Sequence, residues 1–192
     1  MFEVRIHGRG GQGVVSAAEI LSIAAFDEGL HAQAFPTFGS ERMGAPVTAF
    51  CRIDAHPIRL HEPIAEPDCV VVQDPTLLHQ VDVFGGLRPN GYVLVNTERT
   101  LAALGLDDLV ERLGRDRAFT LPATVLAREH VGRPLPNAAL LGGLVALTQV
   151  VTLTALSAAI REKFPGEVGE RNARAAEAAF AVIANAPELS RA

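Results

Sequence analysis

The chain has 192 residues, 48% of them hydrophobic and 20% charged, the composition of one ordinary domain that buries roughly two-thirds of its unfolded surface. A formal charge of −5 with no block of Lys or Arg leaves no footing for a nucleic-acid partner. Cys51 and Cys69 lie far apart with no C-x-x-C spacing, so neither an iron–sulfur cluster nor a zinc knuckle can be built from this chain alone.

Phe2–His7 reads as a strand directly from the N-terminus, with no signal peptide; together with two free cysteines this points to a reducing cytoplasm. Val14–Glu28, Ala-rich with Ile and Leu throughout, reads as a helix stopped by Gly29. Strand patterns follow at His31–Phe35, Val47–Ile53 and Ile58–His61, the last two joined through Asp54-Ala55-His56-Pro57 as a hairpin. Cys69–Gln73 is a continuous apolar run, as expected of a parallel strand covered on both faces. A helix at Leu77–Phe84, a strand at Tyr92–Asn96, a helix at Asp107–Leu113, a strand at Arg117–Leu121 and a helix at Thr124–His130 come next.

Ala138–Ile160 runs 23 residues without a charge, enough on length alone to cross a bilayer. Gly142-Gly143, Thr148, Gln149, Thr152, Thr154 and Ser157 argue instead for two buried helices with a tight connection, Thr154 capping Ala155–Lys163. A last helix covers Gly169–Ala184. The alternation predicts an α/β fold over residues 1–192 as a single domain: three-layer, Rossmann-like, a mostly parallel sheet with an antiparallel hairpin and helices on both faces. The apolar C-terminal segments exceed what one sheet face needs, so either another subunit covers part of them or both simply cover the sheet.

Gly8-Arg9-Gly10-Gly11-Gln12-Gly13 follows the first strand and opens the first helix, the G-x-G-x-x-G spacing in the place of a dinucleotide loop. Glycines let the backbone turn sharply near a ligand, and the exposed amides of a helix start favour an anion. The second strand, however, runs into Pro36-Thr37-Phe38-Gly39, with no acidic residue for ribose hydroxyls, and Val14-Val15 stand where a P-loop needs Lys and Ser or Thr. The loop is therefore read either as a seat for a phosphate or other anion, or as a tight structural turn or subunit contact. Phe38-Gly39-Ser40-Glu41-Arg42-Met43-Gly44-Ala45-Pro46 should lie on the same rim, with Asp74-Pro75, Asn96-Thr97 and Pro122-Ala123-Thr124 at other strand ends. Glu41 and Arg42 form either a solvated ion pair or, through Arg42, a docking contact for a partner.

Gly8–Gly13 and Thr37–Pro46 resemble the two signature loops of the gamma subunit of pyruvate:ferredoxin and related 2-oxoacid oxidoreductases. Asp68–Pro75, Gly91–Thr97, Leu121–Thr124 and Asn137–Leu144 extend the resemblance in family order over most of the chain. The family often has Pro where Ser40 stands, and a second Arg or Gly where Met43 and Ala45 stand. The resemblance implies a complex that oxidatively decarboxylates a 2-oxoacid on thiamine diphosphate with Mg2+, passes electrons through 4Fe-4S clusters and releases an acyl-CoA. It implies alpha, beta and ferredoxin-like delta partners, a flavoprotein subunit where NAD is the acceptor, and no cofactor held by this chain alone. Coenzyme A carries phosphates and ADP, so the resemblance points to Gly8, Arg9, Gly10, Gly11, Gln12 and Gly13 as its contact. Ser40, Glu41, Arg42, Met43 and Gly44, with Asn96 and Asn137, would form the rim toward a partner or cofactor.

Independent catalysis finds no support in the residues. His7, His31, His56, His61, His79 and His130 have no metal-ligand spacing, and the serines lack a G-x-S-x-G elbow. Cys51 and Cys69 read as small buried hydrophobes, and neither a catalytic residue nor a metal site is assigned. A free-standing NAD-dependent oxidoreductase, or a ligand-binding Rossmann-like module without an enzyme, remain the alternatives.

Overall fold

A computed structural model describes residues 1–37 and 44–186. Six strands form one sheet: β1 Phe2–Arg9, β2 His31–Thr37, β3 Pro46–Asp54, β4 Cys69–Val72, β5 Tyr92–Asn96 and β6 Ala118–Leu121. Their order is β2-β3-β1-β4-β5-β6, with β1, β4, β5 and β6 parallel and β3 antiparallel to both its neighbours. The helices are α1 Val14–Asp27, α2 Asp107–Leu113, α3 Ala123–Val131, α4 Asn137–Thr148, α5 Leu153–Lys163 and α6 Glu167–Ala184.

Strand alternation divides the core. Val4 and Ile6 of β1, with Cys69 and Val71 of β4, face the layer of α1, α3, α4, α5 and α6. Val70 and Val72 face the other way, against Leu77, Val83, Leu87, Leu109 and Leu113. Residues 137–145 of α4 are buried all round, and at Gly142 an added Cβ would fall 2.0 Å from the Ala176 carbonyl oxygen of α6. That close crossing of α4 and α6 accounts for the uncharged C-terminal run: its apolar surface is covered within the chain. Among the described residues no helix is long and apolar enough to cross a membrane.

Over the β1–β3 half of the sheet no helix among the described residues covers the second face. Glu3, Arg5, His7 and Arg52 point there and are buried under the irregular residues 55–68 and 80–91. Arg52 bonds Glu3 at 2.9 Å and the Glu62 carbonyl at 2.7 Å. Arg88 reaches Glu3 at 3.1 Å and Asp68 at 2.9 Å, while Asp68 accepts the Glu3 amide at 2.8 Å. Buried charges are tolerable only when paired and hydrogen-bonded in this way.

The expected hairpin is misplaced in the sequence reading. Ile58–His61 is irregular, and β3 pairs instead with β2, through the connection at residues 38–45. Pro57 and Pro63 flank the 58–61 segment and have no N–H with which a ladder could be extended, and the nearby Glu62 and Ile64 carbonyls go to Arg52 and Arg5. The helix expected at Leu77–Phe84 is a 3-10 turn, Pro75–His79, whose first amide, Thr76 N–H, is held by Asp74. The cap of α5 is Thr152, not Thr154; its hydroxyl accepts the Ala155 amide at 3.2 Å.

Candidate functional site

The glycine loop sits where β1 gives way to α1. Next to it, β4 leads into the 3-10 turn on the opposite face, so the two connections part at this point and leave a crevice at the strand ends. Gly8 permits the close approach: a Cβ there would lie 2.5 Å from Val14 Cγ2 and 3.2 Å from Gln73 Cβ. Gly13, the residue before α1, has φ 75°, and a Cβ there would meet Asn137 Nδ2 at 2.7 Å. The starts of α1 and α4 are thus pressed together across a residue with no side chain.

The loop is locked by its neighbours. The Arg9 amide donates to Gln12 Oε1 at 2.8 Å, and the Gln12 amide to the Arg9 carbonyl at 3.1 Å. Gln12 Nε2 donates to Asp74 at 2.9 Å, and Gln73 Nε2 to the Gln12 carbonyl at 3.1 Å. The Arg9 guanidinium folds inward onto Asp74 at 3.1 Å, the Gly44 carbonyl at 3.1 Å, Thr76 at 2.7 Å and Gln80 at 2.9 Å. Burial alone would push the Asp74 carboxyl up, but hydrogen bonds from Thr76 and Gln12 and the charge of Arg9 outweigh it and hold the group below the usual carboxylate range. Arg9 therefore acts as a clamp on the loop.

Backbone amides remain as the outward-facing donors. No side chain caps α1, so the amides of its first turn lack intrahelical acceptors. Among the described residues those of Gly11 and Gly13 meet none either. Amides arranged in this way can attract an anion through dipoles rather than through charged side chains.

The described end of the second loop singled out in the sequence, residues 44–46, meets the first. Gly10 N–H donates to the Ala45 carbonyl at 3.0 Å, Gly44 N–H to the Gly10 carbonyl at 3.2 Å, and Arg9 pairs with Pro46 in the β1–β3 register. Ser40, Glu41, Arg42 and Met43 lie outside the described residues. Asn96, at the end of β5, binds Thr124 and the Gln73 carbonyl, and Asn137 packs on Gly13. Asn96 and Asn137 lie on the same rim as the glycine loop. Gln73 and Thr76 belong to it as well and were missed; their only sequence signal is proximity to Asp74.

A nicotinamide dinucleotide is poorly served here. The usual acidic residue sits on a second strand beside the first, whereas β3 intervenes between β1 and β2, and β2 ends at Thr37. Iron–sulfur ligation does not fit either. Cys51 and Cys69 flank Val4 on either side, about 10 Å apart across two strand spacings. Both thiols are buried; burial pushes Cys51 up to about 12 and Cys69 higher still. Among the described residues no cluster of three or more His, Cys, Asp or Glu is placed to hold a metal ion.

The family model for pyruvate ferredoxin/flavodoxin oxidoreductase matches residues 3–182. The chain is 50% identical over 182 residues to the pyruvate/ketoisovalerate oxidoreductases common subunit gamma of Pyrococcus abyssi, covering 94% of this chain and 96% of that one. It is 46% identical over 180 residues to pyruvate synthase subunit PorC of Methanothermobacter marburgensis, covering 94% and 96%. Among solved structures, the pyruvate oxidoreductase subunit PORC of Thermotoga maritima superposes with a TM-score of 0.79 at 37% identity, over 94% of this chain and 95% of that one.

Proposed function

The chain belongs to the pyruvate ferredoxin/flavodoxin oxidoreductase family, and on that premise we propose that it is the gamma subunit of a multi-subunit 2-oxoacid:acceptor oxidoreductase whose glycine loop meets coenzyme A. On this reading residues 1–192 act as a single cytoplasmic domain beside alpha, beta and ferredoxin-like delta subunits, with a flavoprotein subunit where NAD is the acceptor. The complex converts a 2-oxoacid (pyruvate, or an aromatic one such as phenylglyoxylate) and coenzyme A into an acyl-CoA, carbon dioxide, a proton and two electrons. Thiamine diphosphate, Mg2+ and 4Fe-4S clusters supply the decarboxylation and electron transfer, and other subunits hold them. Both cysteines of this chain are buried, and among the described residues no group of His, Cys, Asp or Glu is placed to hold a metal ion.

The observation that carries the coenzyme A contact is the locked loop with its free amides at an uncapped helix start. Arg9 is committed to Asp74, Gly44, Thr76 and Gln80, so phosphate oxygens would be met by amides at Gly11, Gly13 and the first turn of α1, while Arg9 keeps those amides aimed. Coenzyme A titrated onto the assembled complex carrying Arg9→Ala or Gly11→Ala should bind more weakly in both. Unchanged affinity in both would remove the loop from the site.

A further inference from the structure

The sheet ends at β6, a strand of four residues with β5 on one side. The Val93 amide donates to the Arg117 carbonyl and the Thr97 amide to the Leu121 carbonyl. In this parallel pair the alternate residues Ala118 and Thr120 therefore turn their N–H and C=O groups away from β5. Among the described residues those groups meet no partner. An open strand edge is a template for pairing with another strand, and proteins ordinarily cover it.

This edge lies in a groove of about 520 Å³ that both layers flank. Ile183 and Ala186 of α6 wall it on one face of the sheet, and Leu101 and Val110, on the side of α2, wall it on the other. A slot bounded on both faces admits a single extended segment more readily than the edge of a second folded domain. The four residues of β6 span about 13 Å. Pro187-Glu188-Leu189-Ser190-Arg191-Ala192 follows directly on Ala186 in the groove wall, and six extended residues reach up to about 20 Å. Leu189 brings an apolar side chain to a mostly apolar lining. Glu188 and Arg191 find counterparts of opposite charge in Arg115 and Asp107 of the groove.

We propose that residues 187–192 dock in this groove as a seventh strand, their main chain bonding the edge groups of Ala118 and Thr120 and Leu189 entering between the layers. So placed, the segment shields the edge from pairing with another chain. Groove and segment belong to one polypeptide, so the test needs no partner subunit. Amide hydrogen exchange is followed residue by residue by NMR in the full chain and in a chain ending at Ala186. The Ala118 and Thr120 amides should exchange about tenfold more slowly or better in the full chain. The Phe119 and Leu121 amides, which face β5 in both, should differ by less than about threefold. Leu189→Asp, which sets a charge against the apolar lining, should give the shortened chain's values at Ala118 and Thr120 without changing Phe119 and Leu121. Equal exchange at Ala118 and Thr120 with and without the segment would overturn the proposal. So would protection there that rises with protein concentration, the mark of a second copy in the groove.

Discussion

Replacing Gly13 by Ala should destabilise the chain more than the same change at Gly29, and the difference measures the pressure between the starts of α1 and α4. Both glycines have left-handed backbones, φ 75° and 79°, so each alanine incurs a conformational cost of about 1–2 kcal/mol. At Gly29 nothing lies within 4 Å of the new Cβ, whereas at Gly13 it falls 2.7 Å from Asn137 Nδ2 and 3.1 Å from Asn137 Cγ. Asn137 is 5% exposed, so its amide cannot swing into solvent, and overpacking of this kind adds about 1–3 kcal/mol. Gly13→Ala should therefore cost about 2–5 kcal/mol in total against about 1–2 for Gly29→Ala. Urea denaturation of the full chain gives both values, provided the m-values agree. Asn137→Ala removes the clashing atoms and leaves a Cβ at an ordinary 3.5 Å, so the double variant should recover most of the excess. Equal costs at the two glycines, or no recovery in the double variant, would refute the reasoning.

Arg52→Ala leaves Glu3 buried with Arg88 as its remaining ion-pair partner, and should cost about 3–5 kcal/mol by urea titration; a loss under 1 kcal/mol, the size of an exposed pair, would contradict it. Burial, and after it the charge of Arg5, pushes the His7 imidazole down to about 4, so the unfolded chain binds a proton that the native chain does not between about pH 6.5 and pH 4. Stability should fall across that window as pH drops, by about 3 kcal/mol from this residue, and the slope should flatten in His7→Gln; parallel slopes in the two proteins would count against it. Cys51 and Cys69, buried and held as thiols, should resist alkylation at pH 8 until the chain is unfolded, as read by mass spectrometry.

Local signals found the elements, and non-local pairing decided how they assemble. The bounds of β5 and α2 are those read from the sequence, because an apolar run between turns and a helix with Asp107-Asp108 in its first turn are complete statements on their own. The placement of β3 between β2 and β1 is a choice among partners, and no residue in Val47–Ile53 announces it. Ile58 and Leu60 do show alternation, but the segment has no strand beside it. In β1 the polar residues of the alternation, Glu3, Arg5 and His7, would ordinarily face water; a distant stretch of coil buries them, and only the fold shows that its carbonyls take Arg5 and that Arg88 pairs with Glu3.

The site shows the same division. Glycine spacing after a strand located the loop, and Gly44 and Ala45 meet it as the order of motifs implied. The role of Arg9 was not legible, because its carboxylate partner Asp74 lies 65 residues away. On the proposed coenzyme A contact, that pairing would bear on turnover. A guanidinium free to grip a phosphate would contribute about 1.5–3 kcal/mol, in substrate and in product alike, since coenzyme A and its thioester share the same phosphates. Uniform binding of that sort lowers KM without raising kcat and slows release. A loop that turns its one cation inward and offers amide dipoles, each worth about 0.3–1 kcal/mol, would hold such a ligand in place and still let it leave after each cycle.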